Sequence, residues 1–559
     1  MHAHATGRAT GRYRARMSTD QERDAVVAVD LAATVVDRAV SHLAHESLSD
    51  GKLSVDKLDE QQVTAYDLAH SGAAVEAARV MCRYAEHGQV ESMLARAYVA
   101  DAVSDIVSRL VGRETLWGVD PAVLAPAHAF VTAHRAPAFL EALAGQCAKH
   151  GTGPTHLGAD FELVADTFRR FADDKIRPVA EHVHRTNGDV PEDIIAGLAE
   201  IGGFGLSVPE EYDGFATGGE SDYIGMVVAT EELSRGSLGI GGSLVTRPEI
   251  LTRALVAGGT EEQKQAWLPR IASGELMVGI MVTEPDYGSD VAGVKVAATP
   301  TDGGWLVSGV KTWATFAGRA DVLMLLARTD PDKAKAHRGL SVLIVEKPRA
   351  AGHAFAFDDG RGGKMEGRAI DTIGYRGMHS YEVAFDNWFV PAANLIGGEA
   401  GLGRGFYYQM AGFENGRLQT AARAVGLMQA AFEAGLSYAQ DRKVFGQAVF
   451  EYQLSKVKLA RMATLIQAGR QFSYDVARKM AAGEGTLEAS MVKAYVCRAA
   501  EWVTREAMQL HGGMGYAEEF PVSRFFVDAR VLSIFEGADE TLCLRVIARR
   551  LAENALARS

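Results

Sequence analysis

The segment Met281-Val282-Thr283-Glu284-Pro285-Asp286-Tyr287-Gly288-Ser289-Asp290, with Lys311-Thr312-Trp313-Ala314-Thr315 after it, decides how the chain is read. An apolar run at 277–282 has the length of a strand and gives way to polar residues broken by Pro285 and Gly288. At such a strand end the Thr283 hydroxyl and backbone N–H groups can hydrogen-bond a polar ring, and Trp313 offers a face on which one can stack. Each residue alone also fits an ordinary strand or turn. The information lies in the pair of segments.

Working outward, short β-rich runs fall at 278–283, 305–313, 322–327, 340–345 and 382–390, and Asp302-Gly303-Gly304 is a hairpin signal. Short strands without long helices between them predict a small antiparallel barrel or sandwich. On both sides the apolar period is helical. Residues 19–148 are Ala-rich with few Gly or Pro, and contain no His, Cys or carboxylate cluster at ligand spacing. They read as a bundle that covers a surface or sets an assembly state. Lys149-His150-Gly151-Thr152-Gly153-Pro154 is a breaker cluster and reads as a linker, with His150 solvated. A second helical block covers 160–274. After Gly405 the helical period returns, with Leu418, Val425 and Phe432 in one apolar stripe. The expected class is α+β: a tail at 1–16, a helical extension at 17–154, a helical domain at 155–276, a β-domain at 277–395 and a helical bundle at 396–559.

The chain has 559 residues, too many for one hydrophobic core, and carries 71 acidic against 58 basic side chains. That acidic balance, without a long Lys/Arg block, speaks against nucleic acid as a partner. No apolar run reaches the roughly 18 residues of a membrane span. Cys82, Cys147, Cys497 and Cys543 are too scattered for a C-x-x-C metal site or a disulfide framework, which fits a reducing cytoplasm. The first sixteen residues hold Arg8, Arg12, Arg14 and Arg16 without an apolar stretch, so they are not a secretory signal. They read as a disordered tail, an Arg-rich transit peptide being the alternative. Ser18-Thr19-Asp20-Gln21 reads as a capping box, with Met17 the natural start.

The paired segments resemble the flavin-binding signature of the acyl-CoA dehydrogenase family, and further landmarks follow in order across residues 158–556. Phe413-Glu414-Asn415-Gly416-Arg417 resembles the helix start that contacts CoA. Asp441-Arg442-Lys443-Val444-Phe445-Gly446 and Gln453 resemble contacts to the flavin pyrophosphate and adenosine. Gln509-x-x-Gly512-Gly513-x-Gly515-Tyr516 is similar to the loop that reaches the flavin of a neighbouring subunit; as bare sequence it is also a helix C-cap. Ile534-Phe535-Glu536-Gly537 is similar to the loop carrying the catalytic base. By contrast Gly401, Gly403 and Gly405 follow no βαβ pattern, so they are not a dinucleotide fingerprint.

The resemblance implies an FAD enzyme that removes an α-proton and a β-hydride from an acyl thioester. Glu536 is the implied base. Burial in an apolar site should raise its pKa toward working pH; without the resemblance it reads as a helix-terminus partner. In relatives that carry the base on the helix after the β-domain, the equivalent position here is Gly416, which cannot serve. The resemblance places Met281, Val282, Thr283, Gly288, Ser289, Trp313, Thr315, Arg442, Phe445, Gln453, Gln509, Gly512, Gly513 and Glu540 at FAD. It places Ser289, Glu414, Arg417 and Gly537 at the substrate, with no metal. Three departures stand out: Ala538 for a usual Thr, Asp539-Glu540 for Ser/Thr-Gln/Glu, and Val527 for a usual Arg.

The extension, the 243–250 and 373–381 segments and the Phe535-Glu536-Gly537-Ala538 variant point away from fatty-acyl substrates. Together they resemble the members of the family that act on (2S)-methylsuccinyl-CoA, which implies oxidation to mesaconyl-CoA in the ethylmalonyl-CoA pathway. A buried substrate carboxylate needs a cation; Arg247 is the candidate, Arg376 the second choice, and a surface or capping role for Arg247 the alternative. Electron-transferring flavoprotein is the implied acceptor and a homodimer the implied assembly, with a tetramer the alternative. Other readings are an acyl-CoA oxidase, a short- or medium-chain dehydrogenase of other specificity, and a DNA-binding alkylation-response flavoprotein.

Overall fold

The computed structural model describes residues 20–558; the expected tail at 1–16 and most of the capping box lie outside them. Three long helices, α1 (Asp20–Glu46), α2 (Gln62–Tyr84) and α3 (Gln89–Leu110), form the extension with shorter ones behind them. Ala65, Ala69, Ala73 and Ala77 recur every four residues on α2 and are fully buried. A stripe of methyl groups lets helix backbones approach closely. A Cβ added at Gly72 would lie 3.2 Å from Leu551 and 3.7 Å from Met491, so α2 lies close against the C-terminal bundle. The extension and that bundle share one apolar core.

The breaker cluster after the extension is pinned. Thr152 is buried and donates to Gln429 (2.8 Å), Arg470 donates to Thr152 (2.9 Å), and the Pro154 carbonyl accepts from Tyr84 and Gln467, both at 2.8 Å. The breaking residues end a helix there, as expected, but tertiary hydrogen bonds turn the expected linker into a strap. His150 is exposed.

The next helical block includes α4 (Ala159–Phe171), α5 (Glu220–Gly236) and α6 (Thr246–Gly258). Eight strands follow: β1 (Val278–Met281), β2 (Ala297–Thr301), β3 (Gly304–Thr315), β4 (Val322–Arg328), β5 (Leu340–Glu346), β6 (Ala354–Asp358), β7 (Lys364–Ile370) and β8 (Ser380–Pro391). They pair in the order β1-β4-β2-β3-β8-β7-β6, with β5 on β4. The sheet is mostly antiparallel, but β1 runs parallel to β4 and β2 meets β4 in parallel at one pair. The Asp302-Gly303 turn closes the β2–β3 hairpin, with Gly303 at φ 74°. Strand β8 carries two register shifts, between Tyr381 and Val383 and between Phe385 and Trp388. The sheet therefore bends, and Ser380 comes opposite Thr315.

The C-terminal bundle comprises α7 (Gly405–Asp441), α8 (Gln453–Ala481), α9 (Thr486–Leu510) and α10 (Val522–Leu532), then a loop and a last helical stretch. Leu418, Val425 and Phe432 are buried on α7, as the stripe predicts. A Cβ at Gly405 would fall 2.4 Å from the Ser341 carbonyl carbon, so this glycine serves close packing of helix on strand. No helix among the described residues is long and apolar enough to cross a membrane, and the four cysteines are buried and unbonded.

A shared core makes the extension hard to remove. Each uncovered Leu-sized side chain forfeits about 1.5–3 kcal/mol, against a typical total stability of about 5–15 kcal/mol. Truncation at residue 150 should give an aggregation-prone protein that binds apolar dyes and melts at lower temperature. A monodisperse truncated chain with the full-length melting temperature would contradict the shared core.

Candidate active site

Glu536 follows Phe535 on the loop after α10 with φ 53°, a strained conformation for a non-glycine residue. Its side chain is 5 % exposed, and its carboxylate lands over Gly416 on α7. A Cβ there would lie 2.7 Å from Oε2, so the glycine that cannot act as a base makes room for one. Gly416, Thr420 and Arg423 lie four and three residues apart, on one face of α7. Thr420 donates to Oε2 of Glu536 at 3.1 Å, and Arg423 donates to Oε1 at 2.7 Å. Arg423 is fully buried, stands 4.8 Å over the Phe535 ring and also reaches Ser243 at 3.2 Å. Its spacing from Gly416 was visible in the sequence, yet without a family role nothing singled it out.

A second cation completes the group. Arg247, at the start of α6, is buried with Nη2 3.4 Å from Oε1 of Glu536. The same Nη2 donates to the Tyr375 hydroxyl at 3.2 Å, and Tyr375 donates to Ser243 at 2.6 Å. Its Nε has no partner among the described residues. Arg247 is thus no surface or capping cation. Arg376 is committed elsewhere, donating to the carbonyls of Thr372 (3.0 Å) and His184 (2.7 Å).

The expected direction for the Glu536 pKa is overturned. Burial pushes it up, but the guanidiniums of Arg423 and Arg247 and the bond from Thr420 outweigh burial and hold it below the usual carboxylate range. The surroundings are dry yet strongly cationic. Glu249 on α6 goes the other way: burial raises it despite Arg253 and the 2.7 Å bond from Asn415. Arg417 is half-buried, donates to Ser490 at 3.3 Å and has no partner for Nε among the described residues, and desolvation lowers its pKa. Glu414 accepts from Thr486 at 3.3 Å. Lys493 donates to the Gly537 carbonyl at 2.6 Å, and burial lowers it too.

The residues expected at the flavin divide into two groups. Met281 and Val282 are buried in β1 and just after it, and the Thr283 carbonyl accepts from Thr312 N–H at 2.9 Å. Lys311 is buried beneath this corner, bonded to Glu284 (2.9 Å) and the Val282 carbonyl (2.8 Å); burial pushes its ammonium down to about 8. Trp313 is 55 % exposed at φ 56°, and Thr315 pairs with Ser380 at 3.0 Å. Gly288 and Ser289 are exposed, and Thr541, just beyond the Glu536 loop, donates to Ser289 at 2.9 Å. Glu540 and Ala538 line an open cavity of about 690 Å³ with Trp502, Phe526 and Ile534.

The other group lies on exposed turns of the C-terminal bundle. Arg442 precedes a two-residue hairpin turn whose tip, Phe445, is 99 % exposed at φ 48°. Gln509, Gly512 and Gly513 are exposed at the end of α9, and Gly512 at φ 59° also ends the helix. Gln453 donates to Glu141 of the extension at 2.6 Å.

Three family models match the chain: the N-terminal domain of acyl-CoA dehydrogenase at residues 159–275, the middle domain at 279–388 and the C-terminal domain at 403–552. The (2S)-methylsuccinyl-CoA dehydrogenase of Cereibacter sphaeroides is 38% identical over 535 residues, 92% of this chain and 95% of that protein. The crystal structure of an acyl-CoA dehydrogenase from Geobacillus kaustophilus is 34% identical with a TM-score of 0.63, covering 71% of this chain and 99% of that one. A glutaryl-CoA dehydrogenase from Mycobacterium smegmatis in complex with FADH2 is 25% identical with a TM-score of 0.61, covering 72% and 96%. The chain belongs to the acyl-CoA dehydrogenase family: it is a flavin-dependent oxidoreductase acting on the CH–CH bond of acyl-CoA thioesters, with FAD as cofactor. An open indole face at Trp313 beside the Thr283 strand end suits a polar, stackable ring.

Two substitutions test the carboxylate. Glu536→Gln is nearly isosteric and should keep bound FAD while lowering flavin reduction by about 10²–10⁴-fold; near-normal reduction would remove Glu536 from the chemistry. A base works deprotonated, so its low pKa places the acid limb of kcat/KM below the ordinary carboxylate range. Arg423→Met removes the nearer cation and should move that limb to higher pH. An unmoved limb would show that Arg423 does not set the ionisation of Glu536.

Proposed function

We propose that the protein oxidises a short branched dicarboxylic thioester, (2S)-methylsuccinyl-CoA, to mesaconyl-CoA, with Glu536 taking the α-proton. The observation that carries this reading is Arg247: a buried guanidinium beside Glu536 whose Nε has no partner among the described residues. Burying a substrate carboxylate unpaired would cost several kcal/mol, and a guanidinium fork can meet both oxygens. The relative that matches the extension as well as the catalytic body supports the same substrate.

Bound FAD supplies the acceptor for the β-hydride. The chain's own residues do the rest. Glu536 lies within hydrogen-bond reach of Thr420 and Arg423, which fix its carboxylate for the α-carbon. Phe535, Tyr375 and the buried face of α7 keep water from it. Arg417 and Glu414 are our candidates for CoA contacts. Trp313, Thr283, Thr315, Arg442, Phe445, Gln453, Gln509 and Glu540 are our candidates for holding FAD, with electron-transferring flavoprotein as acceptor.

A homodimer accounts for a fully exposed aromatic at Phe445 and for an extension that covers the bundle. Light scattering of the full-length protein should give twice the chain mass; a tetramer would refute this.

The substrate reading has its own test. Arg247→Met should lower kcat/KM for methylsuccinyl-CoA by about 100-fold, since a buried charge loses its partner, and affect butyryl-CoA by only about threefold. Equal losses for both esters, or none, would remove Arg247 as the carboxylate reader.

A further inference from the structure

The loop that carries Glu536 is closed on itself: Asp539 N–H donates to the Ser533 carbonyl at 3.0 Å, so a shift of Asp539 is a shift of the base. Asp539 is buried, and its carboxylate is met by the extension. From α2, the Tyr66 hydroxyl donates to Oδ2 at 2.5 Å and His70 Nε2 lies 3.2 Å from the same oxygen. The two rings sit one turn apart on one helix face, edge to face at 4.8 Å. Cys543 Sγ lies 3.4 Å from His70 Nε2 and 3.9 Å from Asp539 Oδ1, and the Arg498 guanidinium stands 5.8 Å over the Tyr66 ring. On the other side of the loop Lys493 holds the Gly537 carbonyl. Burial and the neighbouring carboxylate raise the Tyr66 pKa, keeping the phenol a donor, and burial lowers that of His70, keeping the imidazole neutral. The cluster is complete as a hydrogen-bond network, and it explains why a carboxylate stands at 539.

We propose that Tyr66 and His70 are positioning residues for the base: through Asp539 the extension holds Glu536 in register with Thr420 and Arg423. The extension is then part of the catalytic apparatus as well as a cover. This rests on the reading of Glu536 as the base.

The experiment uses the full-length holoenzyme. FAD content, KM and the rate of flavin reduction by saturating methylsuccinyl-CoA and butyryl-CoA are measured for Tyr66→Phe, Tyr66→Phe/His70→Leu, Asp539→Ala and Asp539→Asn. A displacement of the base by about 1 Å can cost about 100-fold in rate. The double variant and Asp539→Ala should keep FAD and KM within about twofold and lose about tenfold or more in kcat. Asp539→Asn, whose amide oxygen still accepts from Tyr66, should restore most of that loss. Unchanged kcat in the double variant and in Asp539→Ala overturns the proposal, as does a kcat loss that only tracks lost FAD. If the double variant does not fold, Tyr66→Phe decides: a kcat loss of about threefold or more at full FAD content supports it, and none overturns it. Glu536→Gln in parallel separates the two readings. Retained reduction there sinks the base assignment; a dead Glu536→Gln beside normal Tyr66 and Asp539 variants sinks only this inference.

Discussion

The constraint on which the site depends is the placing of one carboxylate out of water. A buried ion without partners costs several kcal/mol, so Glu536 can sit over Gly416 only because Arg423 and Thr420 meet its two oxygens. That demand propagates. Arg423, itself fully buried, needs Ser243 and the face of Phe535; Ser243 in turn is held by Tyr375. Tyr375 sits at φ 56° with its N–H on Asp528 at 2.6 Å. One ionised group thereby ties α6, α7, the segment before β8 and α10 to a single geometry. Removing Arg423 leaves Glu536 with only the longer contact to Arg247, and an under-paired charge is a costly defect in a protein interior.

A second buried pair performs the same task at the sheet. Lys311 on β3 grips Glu284 and the carbonyl of Val282, and Glu284 accepts the N–H groups of Lys295 (2.7 Å) and Val296 (2.8 Å). The end of β1 is fixed from three sides before any ligand arrives. Preorganised polar groups cost no rearrangement at the moment of reaction. Left-handed backbone at Trp313, Phe316, Tyr375, His379 and Glu536 is the local strain that such fixing sustains.

The architecture could be read from the chain because its signals are periodic: Leu418, Val425 and Phe432 announce α7, and Asp302-Gly303 announces a hairpin. Strands β2, β6 and β7 carry no such signal. Ala297-Ala298-Thr299-Pro300-Thr301 has poor strand propensity and is held by its partner β3, while Gly367 and Lys364 dilute the alternation of β7. At the site the Phe535-Glu536-Gly537 segment is legible in the sequence, whereas the ionisation of Glu536 is not. Neighbouring residues in sequence are apolar; the cations that decide the matter come from residues 247 and 423, which only folding brings together. For the same reason nothing in residues 17–154 marked Tyr66 or His70, since their partner Asp539 is far along the chain.

The cationic surroundings of Glu536 carry a consequence for specificity. A base held down by two guanidiniums is a weak one. An acyl chain ending in methyl leaves both cations on Glu536. On the proposed reading, a chain ending in carboxylate would bring an anion that competes for Arg247, whose contact to Glu536 at 3.4 Å is the longer of the two. On the proposed reading of Arg247, neutralising it would withdraw one of the two charges that depress Glu536, so the basicity of Glu536 would rise when a dicarboxylic ester binds. Under that proposal, recognition and activation use the same residue. The discrimination would appear in the chemical step as well as in binding, which is where binding energy has its effect on rate.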